Sequence, residues 1–289
     1  MVDELPARHD LMQRERSVYF GTVSQQSKVV VHLLAAVCVW LAGVLAAAAQ
    51  PPSPQEPFTI VDNSFLVEEA FNQEPRIVQN IVNWMRQDGD WQLTFTQEWP
   101  VPGKRHQLSY TIPFGSADGS TGMGDALLNY RLQVLEEAPG RPAFAPRVSA
   151  IVPTARVDRA SGLQVNLPFS KQRRDVYFHW NGGFTWEHHG GRPNLVTPQF
   201  AGSAIYRAAP MLHLMLESVL SFDETEASSG SAQTERHPTF TLSPGVRGGW
   251  NVGEDTQLIV GVAVPVTWTE GSSSAGIFGY FSYELPFKK

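Results

Sequence analysis

The stretch Val176-Tyr177-Phe178-His179-Trp180-Asn181-Gly182-Gly183-Phe184-Thr185-Trp186 constrains the fold more than any other. Its even positions are apolar or glycine, and Tyr177, His179, Asn181 and Thr185 alternate with them. A side-chain period of two makes a strand with one greasy and one polar face. A soluble sheet accommodates one or two such strands. Here the pattern recurs along the chain, over candidate strands at 77–86, 91–101, 106–114, 124–135, 143–153, 163–171, 176–186, 199–208, 210–222, 238–251, 256–268 and 275–287. Leu108, Tyr110, Ile112 and Phe114 share a face opposite Gln107, Ser109 and Thr111, and Ala126, Leu128, Tyr130, Leu132 and Val134 oppose Asn129, Arg131 and Gln133. Leu163, Val165, Leu167 and Phe169 repeat the pattern, as do Leu258 to Val266 at every second residue and the last strand from Ile277 to Phe287. Most of the strands alternate clearly, and the first, 77–86, mixes its parity.

The polar positions decide which way the greasy face points. A soluble barrel turns its apolar face inward and shows water a Lys- and Glu-rich exterior. In this chain charged residues total only 17%, and the apolar faces carry Trp, Phe, Tyr and Leu on nearly every strand. Trp91, Trp99, Trp186, Trp250, Trp268, Tyr283 and Phe287 fall near strand ends, where aromatic girdles meet a membrane–water interface. A mean hydropathy of −0.19 is compatible with this, because alternating strands average out. The expected fold is therefore all-β: a transmembrane, antiparallel, up-and-down β-barrel of about twelve strands.

The one long apolar run, Val29 to Ala49, follows Lys28 and ends in Ala46-Ala47-Ala48-Ala49. Cation, apolar core and small-residue exit describe a cleaved N-terminal signal peptide over 1–49, with an unusually long N-region. The single cysteine, Cys38, lies inside it, leaving no thiol for a disulfide, metal site or nucleophile. Residues 50–75 follow as a periplasmic linker and N-terminal segment. Its start, Gln-Pro-Pro-Ser-Pro-Gln-Glu-Pro, can be neither helix nor ladder. Ser64 ahead of Phe65–Phe71 leaves two readings open, a short capped helix or a segment at the barrel mouth. The barrel itself is expected over 76–289. Connections are expected to be short at one end (136–142, 172–175, 209, 252–255) and long and polar at the other (115–123, 154–162, 187–198, 223–237), the asymmetry of an outer-membrane barrel with periplasmic termini.

Several segments resemble a known family. Glu68-Glu69-Ala70-Phe71-Asn72-Gln73-Glu74, Phe95-Thr96-Gln97-Glu98-Trp99-Pro100, His106-Gln107-Leu108-Ser109-Tyr110-Thr111, Gly124–Arg131, Ala145-Pro146-Arg147, Val152-Pro153-Thr154 and Gly162–Pro168 resemble the bacterial outer-membrane transporter family associated with the meta-pathway of phenol degradation. The likeness runs from about residue 64 to the C-terminus. It implies an outer-membrane channel or uptake barrel for small, aromatic or apolar molecules.

The expected site is the polar face of the wall: Glu98, Asn129, Arg131, Arg147, Asn166, His179, Asn181, Glu217, Arg247 and Glu284, lining a lumen and setting its field for solutes. A closed, ion-paired interior satisfies the same charges, so a structural or adhesive barrel acting through its loops is the alternative. Glu187-His188-His189 reads as a solvated loop, since sequence neighbours seldom share one tetrahedral metal site. The serines lack a Gly-x-Ser-x-Gly elbow, which leaves a membrane esterase or phospholipase as the least favoured alternative. No metal and no cofactor is expected. A net charge of −6 without a basic block argues against nucleic acid. The expected partners are the lipid bilayer, a small-molecule solute and the outer-membrane insertion machinery that reads a terminal aromatic strand. The expected location is the bacterial outer membrane.

Overall fold

The computed structural model describes residues 58–117, 120–156, 159–228, 231–252 and 256–287. The expected leader over 1–49 and the proline-rich stretch 50–57 lie outside the described residues.

Alternation produces strands throughout: β1 Ile77–Gln87, β2 Asp90–Trp99, β3 His106–Ala117, β4 Ser120–Met123, β5 Ala126–Leu132, β6 Ala143–Phe144, β7 Arg147–Val152, β8 Ser161–Arg173, β9 Val176–His188, β10 Leu195–Ala209, β11 Leu212–Glu226, β12 Thr234–Asn251, β13 Gln257–Ala263, β14 Val266–Thr269 and β15 Ser272–Pro286. Each main strand pairs antiparallel with the next, and β15 returns to β1 from Ile77↔Pro286 to Gln87↔Gly276. This closes a barrel of twelve strands without a free edge. The count is twelve because three of the fifteen segments are accessory. β4 folds back on β3, β6 is a two-residue pairing on β8, and β13 and β14 are one strand between β12 and β15. That strand breaks at Val264-Pro265, where proline offers no N–H to the ladder. There the carbonyl of Pro244 accepts from Val264 N and that of Pro265 from Gly276 N, keeping the wall closed.

The barrel is inverted relative to a soluble one. Leu128, Phe200 and Trp250 are 56%, 58% and 55% exposed, and Leu108, Leu163, Leu167, Trp180, Phe184, Val260 and Phe281 share the same outward belt. An apolar belt around the whole circumference far exceeds the isolated patches that soluble monomers tolerate. A hydrocarbon surrounding is the medium that such a surface fits. The residues between them point inward: Gln107, Asn129, Arg131, Asn166, His179 and Ser282 are all buried.

Two expectations need correction. The muddled parity of β1 has a cause, because Ile77 and Ile81 turn inward while Val78 and Trp84 face out. The inner face also carries an apolar cluster of Ile81, Tyr177, Ile205, Met215, Ile259, Phe278 and Tyr280. Second, strand extends into the expected long loops, most of all over 115–123 and 223–237. β11 and β12 run on through Asp223↔His237 to Glu226↔Thr234, with an ion pair of 3.4 Å between Arg236 and Glu224. Polar composition above the apolar belt signals a solvated hairpin as well as it signals a loop. Among the described residues the longest connection, 133–146, instead lies at the end that holds Phe58 and Phe287.

Candidate lumenal site

Residues 58–75 lie inside this wall. They form no helix, which settles the first of the two readings for Ser64–Phe71. The stretch was expected as part of a periplasmic segment, yet Phe58, Ile60, Asp62, Phe65, Val67, Glu69 and Ala70 are all buried. The apolar residues explain the position. Phe58 packs on Tyr177 and His213 at ring-centroid distances of 5.3 and 4.9 Å. Phe65 lies 5.4 Å from Phe278 and 5.2 Å from Tyr280. Each buried aromatic ring contributes on the order of 2–3 kcal/mol by leaving water.

The segment enters and leaves at the same end. Thr59 Oγ1 donates to the Pro210 carbonyl in the β10–β11 turn at 2.9 Å, and Asn72 Nδ2 donates to Lys104 O in the β2–β3 turn at 3.0 Å. Between these anchors it rises towards mid-wall, where Ser64 Oγ is 3.4 Å from Ser203 Oγ.

Charge matching holds the raised part. Arg131 Nη2 is 3.0 Å from Glu68 Oε2, and Arg147 pairs with the other oxygen of the same carboxylate. Arg247 donates to the carbonyls of Asp62 and Asn63 at 2.7 and 2.9 Å and lies 3.6 Å from Glu69. Asp62 Oδ1 accepts from Tyr280 OH at 2.7 Å and from Gln79 Nε2. A guanidinium away from bulk water must be paired, and here much of the pairing comes from outside the wall.

All ten residues of the expected site occur on the inner face. Seven meet the inserted segment: Arg131, Arg147 and Arg247 as above, Asn181 and Glu217 through its backbone, His179 at 3.6 Å from Glu69, and Glu284, which accepts from Gln73 Nε2 at 3.1 Å. The other three bond within the wall. Glu98 accepts from Gln107 at 2.7 Å, Asn129 donates to Ser109 at 3.1 Å, and Asn166 donates to Asn181 at 3.5 Å. Reading the wall alone missed Asp62, Glu68, Glu69 and Gln73. The available signal was the acid-rich stretch just before β1, with Asp62, Glu68, Glu69 and Glu74 within thirteen residues.

Above the segment, towards the end away from Phe58 and Phe287, the inner wall carries a level of threonines. Thr96, Thr111, Thr185, Thr197, Thr241 and Thr267 follow the inward parity set by the pairing register. A cavity of ≈ 190 Å³ lies between the segment and the β1–β7 side of the wall, where Ile81, Asn83, Thr96, Glu98 and Leu127 face Phe65 and Glu68.

One arrangement looks like a hydrolytic triad. Ser170 Oγ is 2.7 Å from His179 Nδ1, and Glu69 is 3.6 Å from His179 Nε2. That ring nitrogen makes no hydrogen bond to the acid, Ser170 is fully buried, and Ser170 Oγ already accepts the Ala70 N–H at 2.7 Å. A nucleophile needs access and an oriented base, so these groups act here as an anchor for the segment. His188 and His189 bond to Asn194 and Arg192, and among the described residues no three His, Cys, Asp or Glu gather as a metal site.

No protein-family model and no curated protein matches the chain. Among solved structures, an outer membrane channel from Pseudomonas putida F1 aligns with a TM-score of 0.60 at 13% identity, covering 79% of this chain and 100% of that one. The NanC porin aligns at a TM-score of 0.45 and 8% identity, over 72% of this chain and 100% of its own. The KdgM porin gives 0.44 and 8%, over 73% and 99%. The fold of this chain is that of the outer-membrane β-barrels.

Proposed function

We propose that this chain is a channel of the bacterial outer membrane that passes small molecules, and that residues 58–75 throttle it. The observation that carries this reading is a closed wall, apolar outside and polar inside, holding an insert that is tied by side-chain contacts and joins no strand. In this reading the lipid bilayer covers the belt, and the outer-membrane insertion machinery places the barrel there. The ten residues Glu98, Asn129, Arg131, Arg147, Asn166, His179, Asn181, Glu217, Arg247 and Glu284 form the face that a solute meets when the insert gives way. The cavity beside Ile81, Leu127 and Phe65 suits solutes with a partly apolar body, aromatic ones included, and the resemblance to the phenol meta-pathway family points the same way. We assign no catalysis to it.

Conductance of the full chain in planar bilayers tests the proposal. Arg131→Ala removes a cation from the level where Glu68 is paired and should shift the reversal potential in a salt gradient towards cations. Unchanged reversal potentials would count against a solute-facing Arg131. The second reading, a closed barrel acting through its exposed hairpins, has the insert in its favour. It prevails if neither the native chain nor variants that loosen the insert conduct.

A further inference from the structure

The way the wall grips the insert is unusual in what it recognises. Among the described residues, 58–73 make no backbone-to-backbone hydrogen bond, although buried peptide groups must be satisfied. Wall side chains do it instead. Glu217 Oε1 accepts the N–H groups of Leu66 and Val67 at 2.9 and 3.1 Å. Asn181 reads Glu68 on both sides, accepting its N–H at 2.7 Å and donating to its carbonyl at 2.8 Å. Ser170 accepts from Ala70 N at 2.7 Å, and Gln133 accepts from Asn72 N at 3.2 Å while donating to Ala70 O at 2.9 Å. Gln107 accepts from Gln73 N at 2.6 Å, and Arg131 donates to Phe71 O at 2.8 Å. These contacts address the main chain, which any peptide possesses. Sequence preference is added by charge: Arg131 and Arg147 meet the carboxylate of Glu68, and Arg247 faces Glu69.

A surface that supplies paired acceptors and donors along an irregular strand, with cations beside it, is a peptide-binding site. We propose that the inner wall is a binding site for extended acidic peptides, occupied in cis by residues 66–73 and available to such a peptide in trans when that segment withdraws. The proposal is independent of ion conduction, and a barrel that never conducts can still exchange its insert.

The test starts from the full chain, with a site-specific protease sequence placed between Glu74 and Pro75, both exposed, and cut only after folding. A fluorescent synthetic peptide covering residues 58–74 is then added. It should bind one per barrel and be displaced by the unlabelled peptide. Asn181→Ala or Glu217→Ala in the wall should weaken binding roughly tenfold each, the loss of one or two buried hydrogen bonds. The decisive competitor keeps every side chain but is N-methylated at Val67, Glu68 and Ala70. It should fail to compete, whereas a peptide carrying Glu68→Ala should compete weakly. Equal competition by the N-methylated and native peptides would overturn backbone recognition. If the cut segment stays seated, the nicked barrel is refolded with excess labelled peptide. Absence of label from a heat-modifiable barrel then overturns the proposal too.

Discussion

Replacing Glu68 by alanine tests the insert most sharply, because one carboxylate neutralises two guanidinium groups. The side chains of Arg131, Arg147 and Glu68 are 4%, 14% and 22% exposed. Breaking a buried pair by deleting one partner costs about 3–5 kcal/mol, and water reaching Glu68 lowers this to about 2–3 kcal/mol. The cost falls on the seated state alone, since both arginines are hydrated once the segment leaves. At about 1.4 kcal/mol per decade, the ratio of withdrawn to seated segment should rise roughly 30- to 150-fold. Single-channel recording of Glu68→Ala against the native chain reads this as open probability. Gel mobility, boiled against unboiled, first establishes that the variant still forms its barrel. Adding Arg131→Ala to Glu68→Ala should then cost less than Arg131→Ala costs the native chain, since only its bond to the Phe71 carbonyl is left to lose. If Glu68→Ala forms a normal barrel and its open probability matches the native chain, charge pairing does not hold the insert, and the reasoning fails.

Three other outcomes follow from the geometry. A Cβ on Gly261 would overlap the Phe65 ring, the movable end of a side chain. Gly261→Ala should therefore expel the ring at an overpacking cost of about 1–3 kcal/mol and raise conductance, and native behaviour would remove Phe65 from the closure. Leu128 faces outward in mid-wall, so Leu128→Arg should cost roughly 2–4 kcal/mol in a bilayer. Urea titration of vesicle-folded protein measures it, and an unchanged midpoint would mean that this face does not meet lipid. The native chain should migrate differently boiled and unboiled; one mobility under both conditions would speak against a closed barrel.

The outer face was legible residue by residue, because lipid imposes the same demand on every strand. Leu108, Leu128, Leu163 and Phe281 are exposed where a period of two puts them. The inner face was legible as polar but not as paired. Its partners arrive from elsewhere in the chain: Leu66 meets Glu217 across a separation of 151 residues, and Gln73 meets Glu284 across 211. No local pattern encodes such contacts, and the segment that makes them has no period of its own. The mixed parity of β1 carries the same information in reverse. Ile81 is turned inward because Phe65 of the insert supplies the apolar partner that an aqueous lumen would deny it. The hairpin above β11 and β12 went unread for a different reason. Outside the apolar belt, nothing distinguishes a charged ribbon from a charged loop except cross-strand pairs such as Glu224 and Arg236.

That the insert enters and leaves by one mouth has a mechanical consequence. A tension applied at Phe58 along the barrel axis would not load all the anchors in parallel. It would peel them in order, first the Thr59–Pro210 bond, then the Arg247 contacts at Asp62 and Asn63, then Glu217 at Leu66 and Val67. A sequence of small ruptures yields at far lower force than one shear of the same bonds. No strand need part, and no chain end need be threaded, for the segment to be drawn out or to return.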